Sequence, residues 1–141
     1  MGVSVTRMAN ELKELTEWQK TPEAILFDQY VYMIIRGIKK LYIDTNRPAS
    51  YDDSLLIEED GEIIYNVNMP INEQEYVLIC AQMIFYQKVQ TDVNNIVGYT
   101  TNALTITNAD KPYANLQNTL DTLELERRRI YYKMVTYSLG E

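Results

Sequence analysis

Apolar positions along this chain fall mostly at alternating steps of three and four, the spacing that gathers side chains on one face of an α-helix. A first helix is predicted over about Val5 to Gln19, with Met8, Leu12 and Leu15 on its inner face. Thr21-Pro22-Glu23-Ala24 then reads as a helix start: a hydroxyl cap, a proline where its missing N–H does no harm, and an early acid. The helix that follows should run to about Asp44. Phe27, Val31, Ile34, Ile38 and Leu41 form its seam, and Ile35 and Tyr42 widen it.

The period changes after Asn46. "NRPASYDDS" is punctuation, and "LLIEEDGEIIYNV" (Leu55 to Val67) reads as a β-hairpin whose turn is Asp60-Gly61. A lone hairpin is marginal in water, so this one must lean on a helix or on another chain. Asn72 and Glu75 have capping-box spacing and open a third helix reaching about Val97. From Tyr76 to Tyr86 that helix is apolar nearly all round, which marks it as the central, most buried one. "GYTTNALTITNADK" (98–111) is read as an extended connection with "LTIT" its strand-like piece. A long final helix is expected over about 112–138, stopping near Gly140. The expected fold is therefore mainly α: one domain over 1–141, a four-helix bundle with a small β-hairpin insertion at about 52–68 and a long C-terminal helix.

The final helix carries a seam of Tyr113, Leu116, Leu120, Leu123, Arg127, Ile130, Met134 and Tyr137, a heptad-like stripe interrupted by one arginine. Glu124 lies three residues before Arg127 and four before Arg128, within reach of both. Two readings stay open. Arg127 either snorkels from an ordinary core seam, or the helix leaves its own bundle there. In the second case Arg127, Arg128, Tyr131, Tyr132, Met134 and Tyr137 would meet a partner, and tyrosine and arginine favour interface centres.

Composition sharpens this picture where charge is concerned. The formal net charge is −7, which argues against a nucleic-acid clamp, since phosphate binding needs clustered cations. No Lys or Arg occurs from Pro48 through Gln87, a stretch that holds Asp52, Asp53, Glu58, Glu59, Asp60 and Glu62. These six acids are either a solvated loop and hairpin tip, or an acidic rim that repels DNA or meets a basic neighbour.

Catalytic chemistry is not visible in the residues. There is no histidine, the commonest general base and metal ligand. The lone Cys80 lies inside the apolar run, where a thiol behaves as a small hydrophobe, and it leaves no internal disulfide to form. No glycine loop for phosphates precedes a helix, and the acidic hairpin lacks EF-hand spacing. No catalytic, cofactor-binding or metal-ligating residue is therefore assigned, and an enzyme is not expected. The longest apolar stretch falls well short of the roughly 20 residues that span a bilayer. Together with the absence of a basic-then-apolar leader at the N-terminus, this gives the expectation of a cytosolic-type chain.

The layout of four helices, an acidic hairpin, a Thr/Asn-rich connection and a long last helix resembles the head–tail connector (adaptor) proteins of long-tailed bacteriophages and related prophages. The segment "NALTITNADKPYANLQNTLDTLELERRRIYY" is similar to the C-terminal part of such proteins, and "EAILFDQYVYMIIRGIKKLYIDT" to their opening helices. The resemblance implies a structural subunit of the virion neck, made in the host bacterial cytoplasm. It would assemble with neighbouring copies into a homo-oligomeric ring, commonly a dodecamer. The implied partners are the portal protein above and a stopper or tail-completion protein below, with DNA passing through without specific binding. The same residues also suit a small helical regulatory or chaperone-like binding protein acting as monomer or dimer, whose last helix grips one client.

Overall fold

The computed structural model describes residues 2–17, 25–45, 51–100 and 110–139, with backbone alone at 92–100, 110–115 and 135–139. In chain order the elements are β1 (Val3–Ser4), α1 (Val5–Thr16), α2 (Phe27–Thr45), β2 (Leu56–Glu59), β3 (Glu62–Tyr65), α3 (Ile71–Thr100) and α4 (Asp110–Leu139). A short 3₁₀ turn, Asp53–Leu55, leads into β2. The molecule is thus mainly helical, four helices with a small antiparallel sheet, as the periodicity predicts. The expected start at Thr21–Ala24, the "LTIT" piece and the stop at Gly140 lie outside the described residues.

α1 begins where Ser4 accepts a hydrogen bond from the Arg7 N–H at 3.1 Å, satisfying a first-turn donor that has no carbonyl partner. Its buried stripe is Val5, Met8, Ala9, Leu12 and Thr16, and the Thr16 hydroxyl is satisfied by the Leu12 carbonyl at 2.8 Å. Leu15, expected inside, is exposed, because steps of four through Met8, Leu12 and Thr16 turn it off the packed face.

α2 buries Val31, Ile34, Ile38, Leu41 and Tyr42 as expected, and also Tyr30, Met33 and Gly37, while Phe27 stays partly exposed. The stripe is displaced toward α3 because Gly37 lets the two backbones meet. A Cβ at Gly37 would lie 2.6 Å from the Val77 carbonyl oxygen and 3.1 Å from its Cγ1.

The hairpin is present with the expected turn. Asp60 (φ 52°) and Gly61 (φ 78°) both take left-handed conformations, the two-residue geometry that matches strand twist. Ile57 pairs with Ile64 and Glu59 with Glu62. β1 adds a third strand that is too short to leave a pattern, pairing Val3 with Tyr65 and Ser4 with Ile64, so the order is β1-β3-β2. The sheet is fastened to the start of α1: the Ile63 N–H donates to Thr6 Oγ1 at 2.8 Å, and Ser4 Oγ donates to Glu62 at 3.0 Å.

α3 is the central helix, packing on α1, α2 and α4. It buries Tyr76, Val77, Ile79, Cys80, Ala81, Phe85, Tyr86 and Val89. Its start differs from the predicted capping box. Pro70, not Asn72, supplies the first helical acceptor, taking the Gln74 N–H at 3.0 Å, while the Gln74 side chain donates to the Met69 carbonyl at 2.8 Å. Asn72 is therefore already inside the helix. The expected extended connection is also shorter at both ends, because 98–100 belong to α3 and 110–111 to α4.

Candidate functional site

α4 runs antiparallel to α3 and packs chiefly on it. Leu116, Leu120 and Leu123 are buried along this contact. At the next seam position stands Arg127, its side chain 19% exposed. A guanidinium this far from water needs acceptors on several sides, and it finds them on three helices. Glu124, one turn back, takes it bidentately, with Arg127 Nε to Oε2 at 2.9 Å and Nη2 to Oε1 at 2.6 Å. Arg127 Nη1 donates to the Tyr76 hydroxyl of α3 at 2.7 Å and lies 3.4 Å from Asp44 Oδ2 of α2. The Tyr76 hydroxyl in turn donates to Asp44. Lys40 pairs with the other Asp44 oxygen at 3.2 Å, and Arg128 with Glu124 at 3.2 Å. The result is a continuous polar clamp, Lys40–Asp44–Tyr76–Arg127–Glu124–Arg128, across α2, α3 and α4.

The electrostatics follow from that wiring. Hydrogen bonding to Arg127 holds the Glu124 carboxyl below the usual carboxylate range, and Glu124 holds the Arg127 proton more firmly than in a free guanidinium. Burial, then the hydrogen bond to Asp44, pushes the Tyr76 phenol up. Beside the clamp a cleft of about 330 Å³ opens between α2 and α4, with Met83 and Ile84 of α3 in its floor and Arg36, Lys40, Glu124 and Arg127 on its walls. Cys80 also lines it, but burial pushes the thiol up to about 12. The thiol is thus protonated near neutral pH, and the nucleophilic form is the thiolate. Among the described residues no group of three or more His, Cys, Asp or Glu could hold a metal ion.

The six residues read as a partner interface do not form one surface. Arg127 is absorbed by the clamp. Tyr131 and Met134 are half-buried and pack, with Ile130, against the chain's own core. The helix therefore stays with its bundle at least through Met134, and does not leave at Arg127. Arg128 and Tyr132 face outward, Tyr132 being 65% exposed and packed edge-to-face with Tyr131 at 5.9 Å. The Tyr137 side chain lies outside the described residues. Leu125, 63% exposed, and the exposed Arg129 join Tyr132 on the outer face, although no seam argument selects them.

All six predicted rim acids are exposed, but they have different jobs. Asp52 caps the 3₁₀ turn, accepting from the Ser54 N–H at 2.9 Å, a bond that lowers its pKa. Glu62 accepts from Ser4. Asp53 opens that turn behind Asp52. Glu58, Glu59 and Asp60, at the tip, have no hydrogen-bond or ion-pair side-chain partner among the described residues. Behind the tip, Tyr51, Tyr65 and Tyr42 form an aromatic lock. Tyr51 stacks on Tyr65 at 5.4 Å, Tyr42 meets Tyr65 edge-on at 6.3 Å, and the Tyr65 hydroxyl donates to that of Tyr42 at 3.1 Å. Lys39 Nζ sits 5.1 Å from the centre of the Tyr51 ring.

Sequence reasoning located Arg127 and Glu124 but missed Asp44, Tyr76 and Lys40. The interrupted seam was the usable signal, because an inward arginine demands a carboxylate. Nothing in the sequence says that the second carboxylate lies 83 residues earlier.

Fold and site together define a class: a small helical bundle with a three-stranded sheet at one end, whose last helix is fixed to the central one by a polar clamp and keeps an outward tyrosine–arginine face. No family model and no curated protein matches this chain, and no solved structure matches its fold. Among the described residues, no helix is long and apolar enough to cross a membrane.

Proposed function

We propose that this chain is a structural subunit of a phage neck, one copy of a ring seated between the portal protein and the tail-side connector, through which DNA passes unread. The observation that carries the reading is the one-sided burial of α4. This helix packs chiefly on α3 and leaves Leu125, Arg129 and Tyr132 as an apolar–cationic outer face suited to another protein surface. Segregated charge adds support. The hairpin tip is purely acidic, while the exposed Arg36, Lys39 and Lys40 of α2 and Arg128, Arg129 and Lys133 of α4 are cationic, a separation that suits contacts between repeated copies. The resemblance of "NALTITNADKPYANLQNTLDTLELERRRIYY" and "EAILFDQYVYMIIRGIKKLYIDT" to connector proteins supplies the assembly.

The decisive experiment combines protein analysis of purified virus particles with electron microscopy of the chain mixed with portal rings. The expected result is the chain in full particles and a ring of added density beneath the portal. Particles deprived of it should package DNA and remain tailless. Its absence from particles, or normal tailed particles formed without it, would overturn the assignment and favour a monomeric or dimeric binding protein.

A further inference from the structure

The acidic hairpin and the cleft beside the clamp stand on opposite flanks of one helix. The hairpin leans on the Tyr42 and Lys39 flank of α2, through Tyr65 against Tyr42 and Lys39 over Tyr51. The cleft opens on the flank bearing Arg36, Lys40 and Asp44. Among the described residues no ion pair joins the hairpin acids to the cations of the cleft. The hairpin offers Glu58, Glu59 and Asp60 without side-chain partners among the described residues, and Ile57 exposed beside them. Across the cleft, Lys40 and Arg127 are engaged by Asp44 and Glu124, while Arg36 has no carboxylate partner among the described residues and lies over the Tyr32 ring, at 5.9 Å. Its floor supplies the half-buried side chains of Met83 and Ile84. The two surfaces are complementary in both charge and apolar content.

We infer that the acidic hairpin of one copy docks in the α2–α4 cleft of the next, its tip carboxylates meeting Arg36 and its neighbouring cations and Ile57 covering the apolar floor. This contact joins two different patches, so it is head-to-tail, and repetition with a closing rotation gives a ring rather than a two-fold dimer. β2 is an edge strand of the sheet and, with the turn, is exposed from Ile57 to Gly61, so these residues can meet another chain while β3 stays fastened to β1 and α1. The inference rests on the ring reading above and specifies which surfaces build it.

The test uses the full chain with Cys80→Ala, adding Asp60→Cys on the hairpin and, on the cleft wall, Gln87→Cys, at a lining position without a charge. All substituted tip and wall positions are exposed. Mild oxidation at high protein concentration should give a ladder of dimers, trimers and longer species on non-reducing gels, whereas chains with only one of the two new cysteines stop at dimers. Glu59→Lys in the two-cysteine chain should cut the ladder several-fold, and adding Arg36→Glu should restore it, since like charges facing each other oppose docking and opposite ones favour it. A two-cysteine chain that never passes dimer would overturn the inference. So would a ladder indifferent to Glu59→Lys, or one that Glu59→Lys weakens and Arg36→Glu does not restore. Absence of the chain from virus particles would instead sink the neck assignment and leave this ladder untouched.

Discussion

On one flank of α2 the hairpin is held by packed phenols; on the other, α4, already packed on α3 through Leu116, Leu120 and Leu123, is tied to α2 by a string of charges. The aromatic lock of Tyr42, Tyr51 and Tyr65 gains from burial of ring surface, a non-directional term that salt hardly touches. The Arg127 clamp depends on ionised groups that are only partly withdrawn from water, so its strength follows their protonation. The difference teaches how this molecule allocates rigidity. The sheet is built into the core, with Tyr65 fully buried, whereas the tie between α4 and α2 is a fitting that changes of charge can loosen.

The largest effect should come from the aromatic side. Tyr65→Ala removes the ring stacked between Tyr42 and Tyr51 and should cost about 4 kcal/mol, the range for emptying a buried aromatic site. Urea unfolding followed by circular dichroism measures it, and a loss under 1 kcal/mol would show that the hairpin is not part of the cooperative core. Arg127→Met comes next, at about 2 kcal/mol, because Asp44 and Glu124 lose their shared donor. Hydrogen exchange in that variant should rise first in α4 and leave β3 protected; uniform acceleration would erase the distinction between the two attachments.

A smaller contrast appears with pH, and the two sites fail at opposite ends. Glu124 is held below its free pKa, so its contribution is complete above the free value and drains as pH falls through the lowered one. Tyr65 is raised to about 12 by burial and by its bond to Tyr42, so its contribution is complete below the ordinary phenol value near 10 and is lost as pH climbs through about 12. The acid limb of urea midpoint against pH should therefore flatten in Arg127→Met while the alkaline limb persists. An unchanged acid limb would remove Glu124 from the account. The smallest expected effect is Glu58→Gln at the exposed hairpin tip, within about 0.5 kcal/mol; a larger loss of monomer stability would mean the tip has a partner inside its own chain.

What could be read from the residues was whatever depends on short spacing. The core run Tyr76 to Tyr86, the Asp60-Gly61 turn and the Glu124–Arg127 pair each follow from neighbours one to four residues apart, and all three stand in the structure. Features set by distant meetings were not legible. Two-residue β1 is too short for a period and exists only because Tyr65 and Ile64 offer an edge. Asp44 looked like the tail of a helix and serves as a clamp. The capping-box reading at Asn72 failed because a nearer competitor, Pro70, had already opened the helix. The partner-face reading met a similar limit. Heptad steps identify which side of α4 turns inward, but they cannot say how far the bundle continues to cover it, and Tyr131 and Met134 are covered.

Gly37 has a mechanical consequence. With the Val77 carbonyl filling the space a side chain would take, α2 and α3 meet backbone to backbone at this one crossing, with no compressible side chain between them there. Tyr42 and Asp44 follow within about two turns on the same helix, so the turn of α2 that carries both the aromatic lock and the clamp is held close to a rigid point on α3. The sheet and the last helix are thus anchored to the same stiff turn of α2, one beside the other.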